Sequence, residues 1–140
     1  MSEFRLDFTV RDYECDLQGI VNNATYLNYL EHARHEFLKS AGVDFALMHQ
    51  KGINLVVVRS EVNYKSSLTS GDEFYVTLKM AQEGRIRFVF YQDIYRMPDN
   101  KLIIKGKITG TCLSNLGKPF LPDEVKNLIE KYSAEEIKAA

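Results

Sequence analysis

The residues best suited to chemistry lie between Asp16 and Asn23, just ahead of a long amphipathic run. An acidic side chain is followed by a turn that contains Gly19 and then by two asparagines that can cap a helix. A helix N-terminus offers unpaired N–H groups and a partial positive charge, which stabilise a developing oxyanion. A carboxylate beside it can attack a carbonyl carbon or activate a water molecule. The alternative is that Asp16 only bonds neighbouring backbone and organises the loop.

Other reactive side chains have less support. Cys15 could be a nucleophile, but no pattern of histidine or asparagine partners accompanies it. Glu31, on the helix, is interpreted as a structural or supporting residue. His32, His35 and Glu36 share a helical stripe without a metal-binding motif, so a solvated or interface stripe is favoured and no metal is expected.

The run after Asn23 has the period of an amphipathic helix. Its apolar residues recur at three- and four-residue spacing, and they are Leu27, Leu30, Ala33, Phe37, Leu38 and Ala41. Asn22 or Asn23 can cap its start and Gly42 suits its end, which predicts a helix of about 18 residues, ~27 Å long. A second, short helix is predicted near Asp44 to Gln50.

Alternation with a period of two predicts the strands. One strand, Phe4 to Val10, precedes the helix. Four strands joined by short turns follow it, around Leu55–Tyr64, Phe74–Met80, Ile86–Phe90 and Leu102–Cys112. Gly106 and Gly110 fall on the apolar face of the last strand, where another backbone could come close. Each strand has one apolar face and one long helix can cover it, which predicts an α+β fold: a curved antiparallel sheet of about five strands wrapped around that helix.

The chain is predicted to form a single domain, residues 1–140. Its 140 residues can bury one core but are short for two, and they contain no repeat, low-complexity tract or linker. Pro122 is expected to open a C-terminal helix. Ser133 with Glu136 has the spacing of a capping box for a final turn.

Composition argues against several classes of protein. Hydrophobic residues make up 45% and charged residues 26%, an ordinary globular balance. The net charge of −1 gives no indication of a nucleic-acid or membrane-surface partner. No apolar run reaches transmembrane length, and no secretory signal is visible. Because the two cysteines form no CxxC motif, a reduced, cytoplasmic protein is expected.

The segment RDYECDLQGIVNNATYLNYLEHARHEFL resembles the hotdog-fold acyl-CoA thioesterases of the 4-hydroxybenzoyl-CoA thioesterase type. The resemblance continues through VNYKSSLTSGDEFYV and LGKPFLPDEV and covers nearly the whole chain. It implies the hotdog fold and hydrolysis of an acyl-CoA or acyl-carrier-protein thioester to free acid and thiol. It also implies a homodimer or homotetramer with the acyl site at a subunit interface, and no cofactor beyond the coenzyme A of the substrate.

The resemblance also implies roles for individual residues. The catalytic loop aspartate of the family maps onto Asp16, and the backbone N–H that polarises the thioester carbonyl falls on Asn23. Many bacterial relatives have histidine at that position, and the loop after Tyr64 often contains proline where this chain has Ser66-Ser67. The residues expected to bind substrate are Gly19, Val21, Asn22, Tyr26, Tyr64 and Lys65. Tyr26 and Tyr64 also fit a core or interface position. Three further cations could meet coenzyme A phosphates or simply be solvated: Lys79, Arg85 and Arg87.

Two other functions are consistent with such a fold. One is a non-catalytic module that binds acyl thioesters. The other is a dehydratase of 3-hydroxyacyl thioesters, which would need a histidine base near the start of the helix. No histidine occurs between Arg5 and Glu31, which disfavours the dehydratase.

Overall fold

The computed structural model describes residues 4–133. Its strands and helices run in the order β1 Phe4–Thr9, α1 Asn23–Ser40, α2 Phe45–Gln50, β2 Asn54–Tyr64, β3 Glu73–Glu83, β4 Arg87–Met97, β5 Lys101–Leu113, β6 Pro119–Phe120 and α3 Asp123–Lys131. A short 3₁₀ turn, Asp12–Glu14, lies between β1 and α1. Glu136, predicted to complete a capping box, lies outside the described residues. Within the described range, the helices fall short of the length and apolar character needed to cross a membrane.

The strands form one antiparallel sheet in the order β1-β3-β4-β5-β2, and β6 pairs with the end of β5. The predicted combination of one long helix with an antiparallel sheet of about five strands is confirmed. The sixth strand was not predicted because two residues are too few to show an alternating pattern. Strands β1 and β2 form the two edges of the sheet.

Helix α1 buries one face against the sheet. Its buried residues are Tyr26, Tyr29, Leu30, Ala33, Phe37 and Leu38. The prediction that Leu27 shares this face is wrong, since its side chain is 40% exposed. At 3.6 residues per turn, Leu27 lies roughly 100° from the centre of the buried stripe, on the flank of α1.

Two glycines of β5 permit close packing, as predicted. A Cβ atom on Gly106 would lie 2.9 Å from the carbonyl oxygen of Gln92. A Cβ atom on Gly110 would lie 2.7 Å from the carbonyl oxygen of Val56 and 2.6 Å from the ring of Phe88. The missing side chains therefore let the backbone of β2 and the Phe88 ring approach β5.

The edge strand β2 is exposed at its centre. Its ladder with β5 is interrupted by an irregularity between Val57 and Arg59. Val57 and Val58 are 52% and 45% exposed. An exposed apolar edge of this kind is a ready template for pairing with another chain.

Candidate active site

The loop that carries Asp16 is closed by main-chain hydrogen bonds. The Asp16 N–H donates to the carbonyl oxygen of Ile20 at 2.9 Å, and the Gly19 N–H donates to the carbonyl oxygen of Asp16 at 3.0 Å. Gly19 has φ of +81°, a left-handed conformation that favours glycine. The role of Gly19 in this loop is therefore to make the turn.

The Asp16 carboxylate is exposed at the surface of this loop. Its Oδ1 accepts a hydrogen bond from the Gln18 N–H at 2.8 Å. Its Oδ2 accepts none from the described residues. One carboxylate oxygen is thus held in place and the other is accessible to a ligand or a water molecule.

Helix α1 begins beside this loop with Asn22 as its N-cap. The Asn22 N–H donates to the carbonyl oxygen of Glu14 at 3.0 Å, the Ala24 N–H to Asn22 Oδ1 at 3.2 Å, and the Thr25 N–H to the Asn22 carbonyl at 2.9 Å. The remaining amide of this turn, that of Asn23, has no acceptor within residues 4–133. A free N–H at the positive end of a long helix can stabilise an anion.

The segment after β2 fixes the loop from the other side. The Leu68 N–H donates to the hydroxyl of Tyr26 at 2.9 Å, and the Val21 N–H donates to the Leu68 carbonyl at 2.9 Å. The hydroxyl of Ser70 donates to Asp12. Burial raises the pKa of Tyr26, which keeps its hydroxyl neutral.

Val21 and Tyr26 were expected to bind substrate, and both are only 3% exposed. Burial leaves them little surface for a ligand in the single chain. Their hydrogen bonds also hold the loop against the helix and the chain after β2, and their role in substrate binding stays a prediction.

Tyr64, by contrast, is exposed and lies at the N-terminal end of α1. Its side chain is 49% exposed, and its hydroxyl donates to the carbonyl oxygen of Asn23 at 3.3 Å. Its ring packs edge-to-face on that of Tyr26, with ring centroids 5.8 Å apart. Lys65 follows with an exposed side chain, and its N–H donates to the carbonyl of Ile103 at 2.8 Å. The structure thus brings Tyr64 to the helix start that carries Asn23, and Lys65 is the next residue along the chain.

The sequence did not reveal the contribution of Glu14. Its Oε1 accepts hydrogen bonds from the hydroxyl of Tyr29 and from the Arg11 N–H, both at 2.8 Å. Its carbonyl accepts the Asn22 N–H, so Glu14 ties the segment before Asp16 to the start of α1. Burial, with this carboxylate beside it, raises the pKa of Tyr29. Nothing in the sequence indicated that Tyr29 would pair with Glu14.

Cys15 does not have the surroundings of a nucleophile. Burial raises the pKa of its thiol, and the carboxylates of Asp12, Asp16 and Glu14 raise it further. Reactive cysteines need the opposite effect, a lowered pKa that favours the thiolate. His32 and Glu36, from the stripe considered for metal binding, form a side-chain pair with 3.7 Å between His32 Nε2 and Glu36 Oε1. Residues 4–133 contain no group of three or more candidate ligands that could hold a metal ion.

Comparison with known proteins agrees with this architecture. Residues 10–129 match the family model described as the thioesterase-like superfamily. The chain is 35% identical over 129 residues to the chloroplastic acyl-acyl carrier protein thioesterase ATL3 of Arabidopsis thaliana, and the match covers 91% of this chain and 68% of that protein. It is 31% identical over 104 residues to the long-chain acyl-CoA thioesterase FadM of Escherichia coli, covering 74% and 78% of the two chains.

Solved structures show the same fold. The crystal structure of a 1,4-dihydroxy-2-naphthoyl-CoA thioesterase from Synechocystis superposes with a TM-score of 0.83 over 91% of this chain and 96% of that one, at 20% identity. The fold is therefore the hotdog fold that the resemblance implied. Because the family model matches most of the chain and these relatives are thioesterases, the chain belongs to the thioesterase-like superfamily.

Proposed function

We propose that this protein hydrolyses acyl thioesters of coenzyme A or of acyl carrier protein to the free acid and the thiol. The observation that carries the proposal is the pairing, in one loop-helix unit, of an accessible Asp16 carboxylate with the unpaired N–H of Asn23. Membership of the thioesterase-like superfamily supports thioester hydrolysis, and relatives named as acyl-ACP and acyl-CoA thioesterases support the two carriers.

The mechanism assigns one half of the reaction to each group. The Asn23 N–H and the positive end of α1 bind the thioester carbonyl oxygen and stabilise the negative charge that develops on it. Asp16 either takes a proton from water, so that hydroxide adds to the carbonyl carbon, or attacks that carbon itself to give an anhydride that water then cleaves. In both routes the C–S bond breaks and the thiolate leaves, to be protonated to the thiol.

Neighbouring residues support these two groups. The hydroxyl of Tyr64 bonds the Asn23 carbonyl and helps to fix the first turn of α1. Asn22 caps the helix and Gly19 turns the loop, which are positioning roles. The exposed Lys65 stands at the end of β2, where it can meet an anionic part of the coenzyme or carrier protein.

A homodimer or homotetramer belongs to this proposal. The β2 edge exposes Val57 and Val58, and pairing between two β2 strands would cover them. Such pairing would bring Asp16 of one subunit near Val58 to Tyr64 of the partner subunit. On the outer face of the sheet, Tyr75 and Tyr95 stack with ring centroids 5.3 Å apart and offer a second surface for association.

A charged substitution on the edge strand β2 tests this assembly. Val58→Lys should give a monomer by light scattering at micromolar concentration and lose most activity, because a lysine on β2 opposes edge pairing. Thr9→Lys, on the opposite edge strand β1, is the matched control and should leave both properties unchanged. A wild-type protein that is monomeric and fully active would contradict the oligomer.

A thiol-release assay tests the reaction itself. The panel comprises acyl-CoA and acyl-ACP thioesters of different chain length and aromaticity. We expect turnover of at least one of them, with Asp16→Asn protein, purified identically, as the control for contaminating esterases. Binding of thioesters without any thiol release would contradict hydrolysis and favour the non-catalytic binding module.

A further inference from the structure

A cavity of about 580 Å³ opens between α1, α2 and the first half of β2, and neither Asp16 nor Asn23 lines it. We call it the α1–α2 cavity. Val57, from the edge strand proposed to pair with a second subunit, forms part of its wall. Its apolar wall includes Leu38, Met48, Ile53, Leu55, Phe88 and Phe90. This volume and lining are typical of pockets that enclose the apolar body of a small molecule and orient it with a few polar groups.

Arg34 also lines this cavity. Its Nη1 donates to Oε1 of Gln92 at 3.0 Å, and Nε2 of Gln92 donates to the carbonyl oxygen of Leu30 at 2.9 Å. Gln92 is fully buried, so both of its contacts fix its orientation. Gln92 therefore holds Arg34 in place through a neutral acceptor.

Burial lowers the pKa of Arg34, and the carboxylate of Glu31, which also lines the cavity one turn earlier on α1, acts in the opposite direction. No carboxylate within residues 4–133 lies at ion-pair distance from the Arg34 guanidinium, so Glu31 compensates its charge only from a distance. A partly desolvated cation is costly unless an anion or strong acceptor compensates it. Since no buried side-chain nitrogen of the described residues lacks a partner, the unbonded N–H groups of Arg34 are open to the cavity or to solvent.

The cavity shares one flank of α1 with the start of the helix. Asn23, Leu27 and Arg34 recur at spacings of four and seven residues, and Arg34 lies roughly 16 Å along the axis from Asn23. The partly exposed Leu27 lies between them. Strand β2 runs beside this flank, from Val57 in the cavity wall to Tyr64 at the Asn23 carbonyl. A linear chain anchored at Asn23 can therefore reach Arg34 with its far end.

We propose that the α1–α2 cavity binds the far end of a long linear acyl chain that carries an acceptor oxygen there, and that Arg34 selects this substrate. The apolar wall takes the methylene groups, and the guanidinium donates a charge-assisted hydrogen bond to a carboxylate, hydroxyl or carbonyl oxygen. Short acyl groups, and aromatic rings attached directly to the thioester carbonyl, end before they reach Arg34. The inference rests on the proposed function, since it assigns the substrate of the same site.

Matched substrates test the selection. The kcat/KM of thiol release is measured for lauroyl-CoA and for its ω-hydroxy and ω-carboxy derivatives, with butyryl-CoA and succinyl-CoA as the short pair. We expect at least one oxygenated long chain to be favoured over lauroyl-CoA by about 10- to 100-fold, the scale of one hydrogen bond to a charged group. The short pair should show no such preference. Equal or faster turnover of lauroyl-CoA overturns the proposal.

Variants of the wall identify the residue responsible. Arg34→Met keeps the length of the side chain without its charge, and should lower kcat/KM for the oxygenated chain by the same factor while raising it for lauroyl-CoA. Gln92→Glu leaves the guanidinium in place but pairs it with a carboxylate, and should also abolish the preference. Lys39→Met removes an exposed cation elsewhere on α1 and should leave the preference intact.

Other outcomes separate this proposal from the proposed function. If Arg34→Met lowered kcat/KM equally for all substrates, or changed the oligomeric state of the protein, Arg34 would be a structural or interface residue. Either result would overturn the proposal that Arg34 selects the substrate. Failure of wild-type protein to release thiol from any thioester refutes the proposed function instead. Calorimetry with dodecanedioic acid then still tests the cavity: binding that Arg34→Met loses supports it, and no binding to wild-type protein overturns it.

Discussion

The loop-helix unit around Asp16 and the α1–α2 cavity lie on the same helix but are built in opposite ways. The first is formed mainly by backbone hydrogen bonds between neighbours in sequence, is held by Leu68 and Ser70 from the chain after β2, and exposes polar groups. The second is formed by apolar side chains from α1, α2, β2 and β4, and its polar pair joins Arg34 to Gln92 across 58 positions. We infer that the reaction depends on a local device, while the choice of acyl group depends on tertiary packing.

Among the substitutions that compare the two regions, one at Asn23 in the loop-helix unit should lower kcat most. Asn23→Pro removes the free N–H and should lower kcat by on the order of 10²–10³, the usual cost of one oxyanion donor. Proline suits the first helical position, and Asn22 already has the extended φ of −61° and ψ of 136° that a residue before proline prefers. The measurement is kcat for thiol release, with circular dichroism to verify folding.

Asn23→Ala is the matched variant, since it keeps the N–H and removes the side chain. Its kcat should stay within about tenfold of wild type, because Asn22 rather than Asn23 is the N-cap residue. If the alanine variant were as inactive as the proline variant, the amide side chain would act directly and the backbone role would be wrong.

A smaller effect on kcat is expected from loss of the hydrogen bond between Tyr29 and Glu14, which supports the loop. Tyr29→Phe removes the donor to Glu14 and leaves a nearly buried carboxylate oxygen with one partner fewer. We expect a loss of roughly 1–2 kcal/mol in the free energy of unfolding, measured by urea denaturation, and a fall in kcat of up to about tenfold as the loop loosens. Tyr13→Phe is the control, because the Tyr13 hydroxyl lies on the exposed surface with Arg11. Equal effects of the two changes would remove Glu14 from the account of the site.

The smallest effect on kcat is expected from the floor of the cavity. Gly110→Ala would place a Cβ atom 2.6 Å from the Phe88 ring and 2.7 Å from the Val56 carbonyl oxygen. Relief of this overlap should destabilise the fold by about 1–3 kcal/mol and displace Phe88, which lines the cavity. The ratio of kcat/KM between long and short acyl-CoA substrates should change more than kcat on a short one. A selective loss of kcat with an unchanged ratio would contradict the division between the two regions.

The sequence was most informative where function depends on neighbours along the chain. Asp16, the turn at Gly19 and the cap at Asn22 follow one another, so their types and spacing predicted a loop beside a helix start. The hydrogen bonds of Tyr26 with Leu68 and of Tyr29 with Glu14 join residues whose pairing depends on the folded chain. The sequence allowed a core position for Tyr26 but could not name the partner of either tyrosine.

The same limit applies to the fold. Alternating and helical periods predicted five strands and the central helix, because burial on one face leaves a regular pattern in each element. The exposed position of Leu27 could not be predicted, since it depends on how α1 is rotated against the sheet. The cavity and the Arg34–Gln92 pair likewise need the tertiary arrangement of helix and sheet.

The central claim is that the Asp16 carboxylate acts on the thioester bond and not on the fold or on binding. Single-turnover hydrolysis by Asp16→Asn, with enzyme in excess over a thioester that wild-type protein cleaves, measures bond cleavage directly. We predict a rate constant lower by on the order of 10²–10⁴, with substrate affinity and thermal stability close to those of wild type. Asp7→Asn, which neutralises another exposed carboxylate on β1, should cleave at the wild-type rate. A rate for Asp16→Asn within a few fold of wild type would contradict the account.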